Sequence, residues 1–362
     1  MKGKLFTYCL KILRKIAIYI QIGNPNGKAP KLVYEQIDRG KGINIVNVKN
    51  DIFIWKLYNA ICSGLYGGAV IDNKNTIYNK FVSFAWGNDL HPTFSLPYIG
   101  RKVAMLENAI FLITPEAKGN YYHWIVDLLP RLLLIKKLQL NDFAERMIIL
   151  HTPPKRYEND VLSLIGVEQR KIIRINAFET VKVKELIVAD YVNCGELFPV
   201  WKKELLTEFK NSVIRSSSTN FTKIYLLRGK QKIRQLIGEE RLISILKRCG
   251  FEIVDMQVLN VTEQIKIISS AQIVVGLHGA ALTNTIFCKD GTRVIEIRSS
   301  VKPPEFFSEI AKTCNLIFES INVPPVGRHE KGSTANKQNL VLTEESINLL
   351  MSKLQLMESV ST

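Results

Sequence analysis

The spacing of apolar and polar positions divides the chain into a strand-rich beginning and a longer part in which strands and helices alternate. From about residue 32 to residue 112, short apolar runs are separated by Gly, Asn and Pro, which is typical of strands joined by turns. These runs predict strands at 43–48, 51–55, 68–71, 81–84 and 109–113. From residue 120 onward, longer stretches repeat their apolar residues every three or four positions, as helices do.

The second part of the pattern predicts a regular series of helices and buried strands. Up to residue 215, helices are predicted at 120–137, 160–165 and 201–215, and strands at 147–150, 172–175 and 181–188. After residue 220, strands are predicted at 224–227, 251–254, 273–275, 293–297 and 316–318, and helices at 239–249, 261–270, from 280, at 305–312 and at 344–357. Strands that alternate with helices favour a parallel sheet covered on both faces.

A polar interruption in this pattern suggests the domain organisation. The run SSSTN at 216–220 separates two α/β series, and we place a domain boundary there. The chain is then predicted to comprise a basic amphipathic segment over 1–30, an N-terminal α/β domain over 31–215, a C-terminal Rossmann-like domain over 216–342 and a final helix over 343–362. Two such domains facing each other across a cleft suit a nucleotide, because ligands of open parallel sheets bind at the carboxyl ends of the strands.

The composition points to an anionic ligand or surface. The chain has 49 Lys and Arg against 33 Asp and Glu, a formal net charge of +16, and 46% of its residues are hydrophobic. Such a charge attracts nucleic acid, anionic membranes or phosphorylated substrates, or simply favours solubility. The basic residues are spread along the chain without interleaved aromatics, which argues against a nucleic-acid groove. The six cysteines contain no C-x-x-C pair, which argues against structural zinc and suits a reducing compartment.

The first 23 residues form an apolar stretch that basic residues interrupt. Lys11, Arg14 and Lys15 lie near its middle, so the stretch is too short and too charged to span a bilayer. It also lacks a small-residue cleavage site, which argues against a secretory signal. The helical spacing of its apolar residues fits either a helix on an anionic membrane surface or a helix packed into a core.

The run VVGLHGAALTN at 274–284 combines a buried strand with a glycine turn and the start of a helix. Gly276 and Gly279 allow the backbone to turn tightly and to approach a ligand closely. The helix that begins at Ala280 offers free N–H groups and a positive dipole end, which suits phosphate, and His278 and Thr283 add donors. The same run is also typical of a tight connection capped by Thr or Asn.

Charged residues follow two other predicted strands. Arg228 comes directly after the strand at 224–227, and Lys230 and Arg234 follow it closely, so these cations can neutralise a diphosphate or form a solvated basic loop. Glu296 ends the run TRVIEI at 292–297, where a carboxylate can hold ribose hydroxyls or lie exposed at an edge.

A third motif pairs a histidine with a carboxylate in the helix predicted at 120–137. His123 and Asp127 are four residues apart and share one helix face. A carboxylate that orients a histidine makes a general base, and Asp127 could also remove a proton directly. The alternative is a core histidine beside an ordinary helix salt bridge. Pro130 is expected to bend or shift this helix.

The chain lacks an Asp-x-Asp motif that could hold a divalent ion against a diphosphate. Arginines and a helix dipole are therefore favoured over a metal for stabilising a leaving diphosphate.

Taken in order, these motifs resemble glycosyltransferase family 61, also described as a domain of unknown function in bacterial surface-polysaccharide clusters. The resemblance rests on NYYHWIVDLLPRL, IYLLRGKQKIRQLIGEE, GFEIVD and EQIKIISSAQIVVGLHGAALTNTIFCKDGTRVIEI. It covers about 109–318, and residues 1–108 carry no recognised motif. It implies a GT-B-like fold of two Rossmann-like domains, an inverting reaction and a nucleotide-sugar donor held mainly by the C-terminal domain.

The resemblance also implies roles for particular residues. His123 and Asp127 would be the catalytic residues on the acceptor side. The donor would be held by Arg228, Lys230, Arg234, Gly276, His278, Gly279, Ala280, Leu282, Thr283, Asn284 and Glu296. The chain departs from the family at Ala281, where Gly is usual, and at Gly238–Glu239, where an Asn-Glu pair is usual. The first departure is expected to tighten the donor pocket and the second to alter a helix cap.

The resulting prediction is an inverting glycosyltransferase of capsule, lipopolysaccharide or exopolysaccharide biosynthesis. Its partners would be a nucleotide sugar and a glycan or lipid-linked glycan acceptor, without nucleic acid, cofactor or metal. It would act in the cytoplasm, with the basic N-terminal segment able to attach it to the inner face of the plasma membrane. Two alternatives remain open, a sugar-nucleotide 2-epimerase and a non-catalytic subunit of a glycan-assembly complex.

Overall fold

The computed structural model divides the chain into two compact units, Met1–Asn193 and Cys194–Thr362. The described residues are 31–33, 42–44, 53–64, 68–71, 76–78, 101–114, 116–138, 142–190, 198–214, 221–229, 233–301, 305–327 and 338–358. The predicted segment over 1–30, the predicted strand over 81–84 and the predicted ligand residue Lys230 lie outside them. Within the described part, no helix is both long enough and apolar enough to cross a membrane.

The first unit is built on one large sheet. Its described strands are β1 (Lys31–Val33), β2 (Gly42–Asn44), β3 (Phe53–Ser63), β4 (Ala69–Ile71), β5 (Thr76–Tyr78), β6 (Arg101–Phe111), β7 (Met147–His151), β8 (Ile172–Ile175) and β9 (Glu179–Ala189). They are ordered β1-β5-β4-β3-β9-β6-β7-β8, and β2 pairs with β3. The pairs β9–β6, β6–β7 and β7–β8 are parallel, whereas β3 runs antiparallel to β9.

This mixed sheet corrects the prediction that both domains are Rossmann-like. The long strand β3 pairs with β9 from Ile54 opposite Ala189 to Ser63 opposite Thr180. One face of β3, β6, β7 and β9 forms a continuous apolar core that includes Trp55, Phe111 and Ile149. The outer face of β3 is exposed at Lys56 and Tyr58, so this strand buries mainly one face, as is common for antiparallel strands.

The helical elements of the first unit confirm the predicted helix at 120–137 and the predicted helix near 160–165. The described elements are α1 (Tyr121–His123), a π-helical turn (Trp124–Leu128), α2 (Leu129–Lys137), a 3₁₀ turn (Phe143–Glu145), α3 (Arg156–Leu164) and a second 3₁₀ turn (Gln169–Lys171).

The second unit contains the predicted parallel sheet. Its described strands are β10 (Lys223–Leu226), β11 (Leu236–Ile237), β12 (Glu252–Val254), β13 (Ile273–Leu277), β14 (Arg293–Ser299), β15 (Ile317–Val323) and β16 (Leu340–Val341). Five of them are ordered β12-β10-β13-β14-β15, with every pair parallel. The short strands β11 and β16 form a separate parallel pair. The central strand β13 is buried along nearly its whole length, as expected for a sheet covered on both faces.

The helices of the second unit begin and end close to their predicted positions. They are α4 (Val200–Val213), α5 (Glu239–Arg248), α6 (Val261–Ser270), a 3₁₀ helix (Ala280–Phe287), α7 (Phe306–Thr313) and α8 (Glu344–Glu358). Helix α6 begins with a capping box, in which Asn260 and Glu263 each accept a hydrogen bond from the other's backbone N–H.

Helix α4 belongs to the second unit, although the sequence prediction placed it in the N-terminal domain. Its Phe209 ring packs against Phe287, with the ring centroids 6.4 Å apart. Its Lys203 Nζ lies 3.6 Å from an Asp290 oxygen. The polar run at 216–220 therefore follows a helix that already packs on the second unit. The division between the two units lies before α4, so this polar run does not mark it.

Candidate functional site

The carboxyl ends of β10 and β13 bring Arg228 and Gly279 together in the second unit. The two strands are neighbours, and each of these residues comes two positions after its strand ends. A Cβ atom at position 279 would lie 2.0 Å from Nη1 of Arg228. The backbone of Gly279 is extended, with φ 164°, so the missing side chain serves here to leave space for the guanidinium. This close approach supports the prediction that the glycine turn and the arginine lie at one site.

His278 is fixed by a carboxylate from the next strand. Its Nδ1 lies 2.5 Å from Oε1 of Glu296, and its backbone N–H donates to Ile297 O at 2.8 Å. The Phe307 ring lies edge-on to the imidazole, with centroids 5.3 Å apart. Glu296 is 1% exposed, so its interpretation as an exposed edge carboxylate is wrong. Its contact with ribose stays a prediction.

Arg228 and Arg234 form a partly buried cationic pair beside this turn. Burial lowers the pKa of both guanidinium groups, and the charge of Arg234 lowers the pKa of Arg228 further. Arg228 donates from Nη2 to Ile233 O at 3.4 Å, while its buried Nε has no partner among the described residues. Arg234 adopts a left-handed φ of 55°, which is costly for a residue with a side chain. An anion at this position would stabilise both cations.

Glu239 fixes the loop that carries Arg228, a role that the sequence did not reveal. Its Oε1 accepts from the Tyr225 hydroxyl at 2.8 Å and from the Arg228 backbone N–H at 3.3 Å. Burial and the Glu239 charge raise the pKa of Tyr225 well above its usual value, so the phenol stays protonated and donates. The preceding Gly238 has φ 91°, which favours glycine. The departure from the family pattern at 238 thus affects a helix start, as expected.

The remaining predicted ligand residues of the turn are mostly buried. Leu282, Thr283 and Asn284 are each 0% exposed. The Asn284 amide donates to Gln264 Oε1 at 3.0 Å, which ties the 3₁₀ helix to α6. The Thr283 hydroxyl is buried without a hydrogen-bond partner among the described residues. The helix starts at Gly279 without a side-chain cap, so the interpretation as a Thr- or Asn-capped connection is wrong.

Gly276 serves the packing of the strands rather than the surface of the turn. A Cβ at this position would lie 3.2 Å from the Cβ of Leu226 and from Cδ2 of Leu282. Ala280, which follows the glycine turn, is partly exposed.

In the first unit, His123 and Asp127 form the predicted hydrogen-bonded pair. Nδ1 of His123 lies 2.8 Å from Oδ2 of Asp127. The side chain of Asp127 is 1% exposed and that of His123 is 21% exposed. A buried carboxylate beside a partly exposed ring indicates that the ring, rather than the acid, can reach a substrate. The site therefore favours His123 as the proton acceptor and Asp127 as the group that orients it.

Local backbone geometry explains how this pair is held. Asn120 accepts from the Tyr122 N–H at 3.1 Å and starts α1. The helix then widens into the π-helical turn, where Leu129 N–H bonds to Trp124 O. Pro130 follows at once and lacks an N–H, so it confirms the predicted shift of the helix. Such π-turns are frequent at functional sites.

The described residues contain no group of three or more His, Cys, Asp or Glu that could hold a metal ion. Metal independence stays a prediction.

Burial raises the pKa of Cys288 to about 12 and that of Cys314 to about 11, so both thiols stay protonated and are poor nucleophiles.

Parts of the chain are similar to one known protein family and to two plant proteins. The Glycosyltransferase 61 family model matches residues 121–295, a segment that contains His123, Asp127, Arg228 and His278 and ends one residue before Glu296. A beta-1,2-xylosyltransferase of Oryza sativa subsp. japonica is 36% identical over 66 residues, which cover 18% of this chain and 12% of the rice protein. A xylan glycosyltransferase of Arabidopsis thaliana is 28% identical over 98 residues, which cover 25% of this chain and 20% of that protein.

These similarities are local. The chain matches a fifth or less of the length of each plant protein, and both relatives are plant rather than bacterial proteins. The family similarity of this chain is therefore carried by the segment 121–295, just under half of its length, which matches the Glycosyltransferase 61 model.

Proposed function

We propose that this protein is a glycosyltransferase that moves a sugar from a nucleotide-sugar donor onto a glycan acceptor. The observation that carries the proposal is the meeting of Arg228 with the Gly279 turn at the carboxyl ends of two neighbouring parallel strands. This is the edge of an open parallel sheet at which ligands bind.

The donor site fits a diphosphate. Among the described residues no carboxylate hydrogen-bonds or ion-pairs with the Arg228 guanidinium. The nearby charge of Glu239 attracts it and the charge of Arg234 repels it. A diphosphate placed between such groups gains charge-assisted hydrogen bonds and offsets their repulsion. The same groups stabilise the charge that develops on the nucleoside diphosphate as it leaves.

The acceptor side of the proposal rests on His123 and Asp127. His123 removes the proton of the attacking hydroxyl, and buried Asp127 holds the ring by its Nδ1–H. The oxygen then attacks the anomeric carbon as the bond to the diphosphate breaks, which inverts the configuration. The GT-B arrangement and the inverting outcome belong to this proposal and rest on the family resemblance.

The names of the two plant relatives suggest which donors to test first. The rice relative is named as a xylosyltransferase and the Arabidopsis relative as a xylan glycosyltransferase, so a nucleotide-linked xylose is proposed ahead of nucleotide-linked hexoses. An acceptor from surface-polysaccharide assembly, metal independence, and attachment of the segment 1–30 to an anionic inner membrane surface remain proposals from the sequence.

A donor panel followed by an acceptor assay tests the proposal. Purified protein is heated with UDP, GDP, UDP-xylose and UDP-glucose, because a ligand that binds the folded state raises its melting temperature. The best donor is then incubated with glycan acceptors while released nucleoside diphosphate is measured.

The same assay separates the alternatives. Transfer with release of nucleoside diphosphate supports the proposal. An epimer formed from donor alone indicates the epimerase, binding without release indicates the non-catalytic subunit, and absence of any binding contradicts the proposed donor site.

A further inference from the structure

We infer that Glu296 is a positioning residue that holds the His278 ring so that Nε2 meets the diphosphate of the donor. The inference rests on the proposed function and assigns Glu296 a role other than a contact with ribose. The inference starts from a buried hydrogen bond between the Glu296 carboxylate, in β14, and the His278 imidazole, just after β13.

Both members of the pair are fixed by backbone. Glu296 lies in β14 opposite Gly276 of β13, and the His278 N–H continues this ladder by donating to Ile297 O. The carboxylate of Glu296 is 1% exposed and directs Oε1 at Nδ1 of His278. The geometry of the imidazole is thus set by the sheet itself, before any ligand binds.

The chemistry of a carboxylate decides which ring nitrogen is available. An ionised carboxylate only accepts hydrogen bonds, so Nδ1 must carry a proton. Nε2 is left over, has no partner among the described residues and belongs to a side chain that is 11% exposed. When Nε2 also carries a proton, it can donate to a phosphate oxygen. The buried carboxylate then balances the charge of the ring.

The other charged groups around the ring are already engaged. Arg298 lies 3.8 Å from Oε2 of Glu296 and 3.1 Å from an oxygen of Glu305. Phe307 restricts the ring from its edge, and Arg228 approaches the turn at the adjacent Gly279. The arrangement resembles the outer carboxylates that orient histidine ligands in metal sites and catalytic triads.

A ribose contact and a positioning role predict different binding losses. Glu296→Gln keeps the size of the side chain and removes its charge. A positioning role predicts that affinity for UDP or GDP, whichever the wild type binds better, falls about tenfold, while affinity for the matching nucleoside is unchanged. Glu319→Gln, in the neighbouring β15 and paired with Lys353, is the matched control and is expected to bind as the wild type.

A second measurement is made on the wild-type protein and does not depend on Glu296→Gln. The ¹⁵N–¹H correlation spectrum of the His278 ring in the wild-type protein is expected to show a proton on Nδ1, and His278→Gln identifies the signal. His278→Gln is also expected to lose the same diphosphate affinity as Glu296→Gln, with no further loss in the double variant, because the two residues act as one unit.

The outcomes distinguish a failure of the positioning role from a failure of the proposed function. Equal loss of nucleoside and nucleoside diphosphate affinity, unchanged diphosphate affinity, or a His278 ring without a proton on Nδ1 overturns the positioning role and leaves the proposed donor site standing. A wild-type protein that binds no nucleoside diphosphate or nucleotide sugar overturns the proposed function together with this inference.

Discussion

Nη1 of Arg228 occupies the space beside Gly279 so closely that a Cβ on that glycine would lie 2.0 Å from it. The guanidinium is therefore positioned by the absence of a side chain on the neighbouring strand's turn. Glycine at 279 leaves room for the cation where it now lies, while its extended backbone suits any residue.

Gly279→Ala is expected to displace the Arg228 guanidinium and to lower affinity for nucleoside diphosphate by at least tenfold. The fold should survive, because the side chain of arginine can move where a backbone could not. Calorimetric titration of the variant with UDP or GDP measures the loss, and thermal unfolding checks the fold.

Arg228→Lys provides the comparison for this variant. Lysine keeps the charge but loses the forked guanidinium, so its affinity should fall as well. If Gly279→Ala binds nucleoside diphosphate as the wild type does, the close contact of Arg228 with Gly279 is unrelated to ligand binding.

The buried hydroxyl of Thr283 is a cost to stability in the unliganded protein. It is 0% exposed and has no hydrogen-bond partner among the described residues. Thr283→Val replaces the hydroxyl by a methyl of similar size, so the free energy of unfolding should rise by about 1–2 kcal/mol. Urea unfolding without ligand measures the change.

Thr285 supplies the matched control, two residues further along the same 3₁₀ helix. Its hydroxyl is also buried but donates to Leu282 O at 2.7 Å. Thr285→Val is therefore expected to lower the free energy of unfolding by about 1 kcal/mol. If both substitutions shift stability in the same direction, the hydroxyl of Thr283 is not the unsatisfied group described above.

The donor side of the site could be predicted because its determinants are local. A buried run such as β13, followed by a glycine turn, predicts both a parallel strand and a ligand-facing end. Adjacent parallel strands then bring Arg228 and Gly279 to one edge. Pro130, two positions after the end of the π-helical turn, also predicts a disturbed helix from sequence alone.

Other features depend on pairings that sequence does not encode locally. The contact of Glu296 with His278 follows from the register of β13 with β14, and a shift by one residue would turn Glu296 to the opposite face. The antiparallel pairing of β3 with β9 joins residues more than 110 positions apart, which periodicity cannot detect. Both were missed because register and partner choice are properties of the assembled sheet.

An ion cluster in the first unit should make its stability depend on acid pH. The guanidinium of Arg146 is 1% exposed and hydrogen-bonds both Asp142, at 2.5 Å, and Glu185. Burial raises the pKa of both carboxyls. The hydrogen bonds and charge of Arg146, joined at Glu185 by Lys56, outweigh this, so the net pKa of each carboxyl is lowered. Carboxyls with lowered pKa stabilise the fold above their ordinary values and lose that contribution as pH falls through the lowered values.

The free energy of unfolding should therefore decline from about pH 4.5 downward. Glu185→Gln removes one of the two charges, so it should cost about 2 kcal/mol at pH 7 and flatten this decline. Urea unfolding between pH 3 and pH 7 measures both effects. Glu107→Gln, from an exposed pair with Lys184, is the control and should change little. A decline of equal slope in the Glu185 variant would contradict the assignment.

The geometry of His123 and Asp127 predicts how transfer fails when either is changed. Asp127→Asn can donate its amide N–H to Nδ1, so the ring is no longer forced to carry its proton there and the outer nitrogen is no longer kept free to accept a proton. We expect kcat to fall by about 10²–10⁴ while the KM for donor stays near the wild-type value. His123→Gln should cause a similar loss, and the double variant little more, because the pair acts as one unit.

Exposure distinguishes this arrangement from direct proton removal by Asp127. A carboxylate that is 1% exposed reaches an acceptor hydroxyl only if the helix opens, whereas the partly exposed ring already faces outward. Added imidazole should therefore restore part of the transfer rate in His123→Gly and none in Asp127→Gly, with rates measured from released nucleoside diphosphate. Rescue of the Asp127 variant by formate, together with full activity in His123→Gln, would instead make Asp127 the base.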